Sequence, residues 1–295
     1  MIWKSFLTEL VKIKYPLVMG AFGGWGKADF ASAFSNAGGL GVIAALNFPK
    51  FEEFRKDLQK MKILTNQPFG VNLSLPHSGF HLNSHKSRTK QDYIQYLDIA
   101  LDEGVKVITT SGYKAKFIGD IVHKKGGLWF HKCVLIKHAI SAEKNGADGI
   151  TLVGLEGTGF KNPLTNTTLV NITMAKRLLK IPIIAAGGIG DARSFLGALA
   201  MGASGVCLGT ALMATKECPV SEKIKQKWLN TDIFEEKVHN RIYKYNVKNF
   251  MAPSTAIAQR KKIISIHALI NELIAQAENI LKSWGFNSNK INLIS

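Results

Sequence analysis

Two glycine-bearing turns carry the densest chemical signal in this chain. Gly187-Gly188 follows the apolar run 181–186, and Gly209-Thr210 follows the apolar run 205–208, with a helix-like segment over 191–201 between them. Turns of this kind at the ends of adjacent parallel strands put bare backbone N–H groups beside a helix N-terminus, an arrangement that binds phosphate. Other residues could meet the rest of such a ligand. Met19-Gly20 ends an early apolar run, and glycine there lets a flat ring approach the backbone. Asn72 is a polar residue inside an apolar strand-like run and needs a partner if buried. Thr109-Thr110-Ser111 bring hydroxyls to the end of another run.

Lys132 lies inside the run Trp129-Phe130-His131-Lys132-Cys133. A lysine inside an apolar strand is costly unless it meets an anion. It suits a flavin ring, whose reduced form carries negative charge near N1 and O2. Side chains alternate along a strand, so His131 must then face the other way, toward the helices. Glu156 is an acid among small residues, in the stretch Gly154-Leu155-Glu156-Gly157-Thr158-Gly159-Phe160. His77, His81 and His85 are spaced by four, but Pro76, Ser78, Gly79 and Asn83 argue for a loop there, and no metal site is expected.

The elements that must position these residues alternate. Strand-like runs fall near 16–21, 40–45, 69–75, 105–111, 127–134, 149–156, 181–186 and 205–209. Helix-like segments fall near 27–37, 49–62, 89–103, 115–125, 137–145, 167–179 and 191–201. Eight strand–helix units with short loops predict an α/β chain folded as a (β/α)8 TIM barrel, with an open doubly wound sheet as the alternative. In such a barrel the loops after the seventh and eighth strands are the usual phosphate site. The barrel is expected over 1–213 and a helical or irregular lid over 214–253. One long helix is expected from 255 to 283, packing back on the barrel, with a loose tail after it.

The chain has 295 residues and a formal net charge of +17. The lysines are dispersed and no nucleic-acid-binding signature appears, so a solvated basic surface is the expected reading, with an anion-steering surface as the alternative. No apolar run approaches the length of a membrane span, and the first twenty residues lack a signal-peptide pattern. A cytoplasmic protein is expected. Cys133, Cys207 and Cys218 form no CxxC pair and call for no oxidising compartment.

The phrases YPLVMGAFGG, AGGLGVIAA (37–45), PFGVNLSLP, GVKVITTSG, GADGITLVGLEGTG and IPIIAAGGIGDARSFLGALAMGASGVCLGT occur in this order. Together they resemble the nitronate monooxygenases, formerly 2-nitropropane dioxygenases, whose superfamily includes FMN-dependent enoyl-acyl-carrier-protein reductases. The resemblance covers about residues 14–215. It implies a barrel holding FMN, with the phosphate on Gly187, Gly188, Gly209 and Thr210. The ring would lie near Met19, Gly20, Asn72 and Lys132, Gly157 and Gly159 would line its edge, and Thr110 and Glu156 complete the cofactor set. Phe22, His77 and Phe160 would line the substrate pocket. The implied reaction is oxidation of an alkyl nitronate by O2 to a carbonyl compound and nitrite. The alternatives are an NAD(P)H-dependent enoyl-thioester or quinone reductase and, more remotely, a non-catalytic anion- or nucleic-acid-binding protein. An acidic carrier protein and a second copy of the chain are candidate partners; a membrane is not. One departure stands out. Phe160 occupies the position of a family histidine, and a phenyl ring cannot move a proton, so no catalytic base is assigned.

Overall fold

The computed structural model describes residues 1–76, 88–112, 114–157, 164–243 and 254–294. Eight parallel strands form the barrel: β2 (Leu17–Met19), β3 (Gly41–Ala44), β4 (Phe69–Ser74), β5 (Val107–Ser111), β6 (Leu128–Cys133), β7 (Gly149–Val153), β8 (Ile183–Ala186) and β9 (Gly205–Leu208). They pair in the order β2-β9-β8-β7-β6-β5-β4-β3. A parallel bridge from Val18 to Leu40 joins β2 back toward β3 and nearly closes the ring. Helices α2 (Ala28–Asn36), α3 (Phe51–Leu64), α4 (Lys90–Asp102), α5 (Lys116–Lys124), α6 (Ile136–Lys144), α7 (Thr168–Leu178) and α8 (Ala192–Ala200) connect successive strands. Each expected strand and connecting helix is present, with boundaries shifted by at most three residues.

The strand register separates two faces. Trp129 packs against Gly119 of α5, where any Cβ would run into the indole, so Trp129 faces the helices. Its neighbours Phe130 and Lys132 therefore face the barrel interior. The cross-strand partners of those two, Thr109 and Ser111 on β5 and Gly149 and Thr151 on β7, share the interior face. Gly149 is glycine for a packing reason: a Cβ there would overlap the Phe130 ring. Below the interior, α1 (Phe6–Val11) plugs the barrel floor. Leu7, fully buried, takes the space that a side chain at Gly205 would need.

Three features differ from the sequence expectation. The first residues form a strand, β1 (Ile2–Lys4), that pairs in parallel with β10 (Lys290–Asn292). Residues 290–292 are thus tied into the fold and are not a loose tail. The expected helix over 255–283 is two elements, a 3-10 turn over Thr255–Gln259 and α12 (Ile266–Ser283), each capped by its own serine, Ser254 and Ser265. Between barrel and turn lie the short α9 (Thr210–Met213), α10 (Glu222–Leu229) and α11 (Glu236–Tyr243). Among the described residues no helix is long and apolar enough to cross a membrane.

Candidate active site at the barrel mouth

Gly187 and Gly188 sit at φ +109° and +72°, a left-handed region that glycine tolerates and other residues rarely adopt. The carbonyls of this turn are turned outward. The Ala186 carbonyl accepts from the Gly154 N–H at 2.9 Å. The Gly187 carbonyl lies 3.0 Å from the Thr168 hydroxyl, and the Gly188 carbonyl accepts from Gln259 Nε2 at 3.2 Å. Successive carbonyls turned one way leave successive N–H groups turned the other, which is the geometry of an anion nest. Among the described residues no acceptor takes the N–H groups of Gly187, Gly188, Ile189, Gly209 or Thr210. Ile189 and Thr210 are each 5% exposed. Gly187, Gly188 and Gly209 are half-buried. Buried backbone donors are almost always paired, so the N–H groups of Ile189 and Thr210, with the three glycines beside them, suit a ligand with several acceptor oxygens. Beside it, a Cβ built on Gly209 meets nothing within 4 Å, and Gly20 lies close against Gly209.

Glu156 braces this turn from behind. Its Oε2 accepts from the Thr168 backbone N–H at 2.8 Å and from the Thr168 hydroxyl at 2.9 Å, at the N-terminus of α7. A carboxylate is favoured there by the helix dipole. A Cβ on Gly188 would come within 3.0 Å of the Glu156 Cβ, and one on Gly157 within 2.7 Å of Val153. The carboxylate of Glu156 is thus engaged in holding the backbone, and Gly157 lets that backbone pass.

Across the interior runs a polar strip on β4, β5 and β6. Asn72 Nδ2 donates to Thr109 Oγ1 at 2.9 Å. The Ser74 hydroxyl donates to Asn72 Oδ1 at 3.0 Å. Ser74 has one hydrogen, so the 2.8 Å contact between the Ser74 and Ser111 hydroxyls is a donation from Ser111. Ser111 is in register with Lys132, which no carboxylate among the described residues pairs. Cys207 also faces the interior, and burial raises its thiol pKa against the opposing pull of Lys132, which keeps the thiol protonated.

The register turns the side chains of two expected cofactor residues away from the interior. Thr110 is fully buried on the outward face, where Trp129 Nε1 donates to its oxygen at 2.7 Å and it lies 2.8 Å from His131 Nδ1. Its neighbours Thr109 and Ser111 hold the interior positions. Met19 is likewise on the outward face, since Val18 pairs with the interior Cys207, and its side chain is buried away from the mouth. His131 faces the helices as expected, and burial lowers its pKa to about 4, helped by His138. Phe22 is buried in an aromatic row. It stacks on Trp25 with centroids 6.4 Å apart, and Trp25 meets Trp228 of α10 at 6.3 Å. The contact between Trp25 and Trp228 was not readable in the sequence, because only the tertiary fold joins them. Gly159, His77, His81, His85 and Phe160 lie outside the described residues.

The nitronate monooxygenase family profile matches residues 4–247. The chain belongs to that family. It is a family of oxidoreductases, and two curated relatives show its breadth. A "(3aS,4S,5R,7aS)-5-hydroxy-7a-methyl-1-oxo-octahydro-1H-indene-4-carboxyl-CoA dehydrogenase" from Mycobacterium tuberculosis is 30% identical over 237 residues, covering 80% of this chain and 63% of that protein. The chain therefore spans a little under two thirds of that relative's length. A probable nitronate monooxygenase from Staphylococcus haemolyticus is 28% identical over 277 residues, covering 80% of this chain and 77% of its own. Among solved structures, FabK from Thermotoga maritima superposes with a TM-score of 0.80 at 22% identity, covering 96% of this chain and 98% of that one. A nitroalkane oxidase from Streptomyces ansochromogenes gives 0.77 at 20% identity, covering 94% and 99%. These two share the barrel.

Proposed function

We propose that this member of the nitronate monooxygenase family is an FMN-dependent oxidoreductase that oxidises alkyl nitronates with O2 to a carbonyl compound and nitrite. The observation that carries the reading is the set of acceptor-free N–H groups at Gly187, Gly188, Ile189, Gly209 and Thr210, which suits the phosphate of FMN. Gly209, where an added Cβ would meet nothing within 4 Å, leaves room for the flavin at the mouth. When bound, FMN supplies two-electron redox chemistry. The chain's own groups favour an anion: Lys132 brings an interior positive charge, and Ser111 and Asn72 bring ordered polar groups. A nitronate is already an anion and needs no base, which agrees with Phe160 at the position of the family histidine.

A second reading, an NAD(P)H-dependent enoyl-thioester or quinone reductase, draws support from the relative whose name includes a carboxyl-CoA substrate. Anaerobic mixing separates the two. Bleaching of the flavin band by a nitronate and not by NAD(P)H supports the monooxygenase, and the reverse supports the reductase. Purified protein that lacks flavin absorbance and takes up no added FMN defeats both.

A further inference from the structure

The residues just beyond the family match, 254–260, read Ser-Thr-Ala-Ile-Ala-Gln-Arg. Ser254 caps a short 3-10 turn by accepting from the Ala256 N–H at 3.3 Å. The turn is anchored by Ala256 and Ile257, which are 2% and 0% exposed. It reaches both glycine turns at once. The Ser254 backbone N–H donates to Thr210 Oγ1 at 3.3 Å, and Gln259 Nε2 donates to the Gly188 carbonyl at 3.2 Å. A Cβ on Gly188 would lie 3.2 Å from Thr255 Oγ1, and one on Gly190 only 2.6 Å from Gln259 Oε1. That Oε1 is buried with no donor among the described residues, so the Gln259 side chain is held here by its Nε2 donation to the Gly188 carbonyl. Arg260 follows, its Nε donating to the Gln259 carbonyl at 3.0 Å; burial lowers its pKa, with Glu272 and Asp191 pulling the other way.

We propose that residues 254–260 form a clasp that positions the cofactor's phosphate site, with Gln259 and Ser254 as positioning residues. The inference rests on the FMN reading above and extends it to a segment outside the family match. Gln259 fixes the Gly188 carbonyl outward, and the peptide geometry then directs the next N–H, that of Ile189, to the opposite side. Ser254 holds the Thr210 side chain, which fixes the start of α9. One segment thereby sets the spacing between the two turns that must share a phosphate.

Paired titrations with FMN and riboflavin test this, because riboflavin carries the same ring without the phosphate. Kd values are read from flavin fluorescence on the full-length apoprotein, and thermal melts of the apo forms are recorded in parallel. Gln259→Leu keeps the side chain's bulk and removes the donor. It should weaken FMN about tenfold and leave riboflavin within about twofold. Gln259→Glu, which adds a negative charge, should weaken FMN further. Ser254→Pro removes the N–H at a φ of −86°, near the range proline adopts, and should show the same FMN-selective loss if Gln259→Leu fails to fold. Equal weakening of both flavins, or no change in either, overturns the clasp while leaving the FMN reading intact. Wild-type protein that binds neither flavin overturns both.

Discussion

Strands β5 and β6 carry polar side chains on both faces, and the two faces have opposite characters. On the outward face Trp129, Thr110 and His131 form a closed chain. Each inner polar atom has a partner, and burial holds the imidazole neutral. On the interior face Asn72, Thr109, Ser74 and Ser111 form a chain that ends at Ser111, in register with Lys132, a cation that no described carboxylate pairs. The closed network has nothing left to offer a ligand, so it serves the fold. The open one retains a charge and an acceptor, which is what the proposed binding role needs. One residue of register, from Thr110 to Ser111, decides which role a hydroxyl takes.

Changes on each face should sort accordingly. The largest effect belongs to the interior: Lys132→Met should lower nitronate turnover about 100-fold while FMN absorbance remains. Turnover within threefold of wild type would break the comparison. Next is an outward effect of pH. His131 titrates at about 4 in the folded chain, against an ordinary 6.5. Below pH 6.5 the unfolded chain takes up a proton that the folded one refuses, so stability falls as pH drops from about 6.5 to about 4. The full loss is of order 3 kcal/mol. Urea midpoints across that window should show the slope, and His131→Gln should flatten it. Thr110→Val strands the buried Trp129 N–H and should cost about 1–3 kcal/mol in thermal or urea unfolding, with the FMN Kd unchanged. The smallest stability effect is expected for Ser111→Ala, within about 0.5 kcal/mol, accompanied by a several-fold change in kcat/KM. A stability loss at Ser111 equal to that at Thr110 would erase the distinction.

The barrel was legible because apolar runs and amphipathic spacers alternate eight times, and parallel strands buried on both faces leave continuous apolar runs. Lys132 was placed inward correctly from alternation and the cost of a buried charge. The hydroxyl cluster at 109–111 was not resolved in the same way, since three successive polar residues carry no alternation to read. The outward direction of the Met19 side chain was hidden for a related reason, as its run gives no sign of which face is which. The strand pair β1–β10 joins three-residue segments with no periodicity of their own. The 3-10 turn at Thr255–Gln259 merged with α12 in the apolar pattern, although Ser254 and Ser265, each a serine N-cap, were the signal that could have split it.

The clasp has a consequence for the order of events when the chain is made. All eight barrel strands are complete by Leu208, and both glycine turns by Thr210. The groups that hold those turns in register, Ser254 and Gln259, come more than forty residues later. Strand β1 waits longer still for its partner, β10, which begins at Lys290. A nascent chain emerging from its N-terminus can therefore assemble the barrel well before it can fix the spacing of its turns. On the FMN reading, cofactor retention waits for residues that are made only after the barrel is complete.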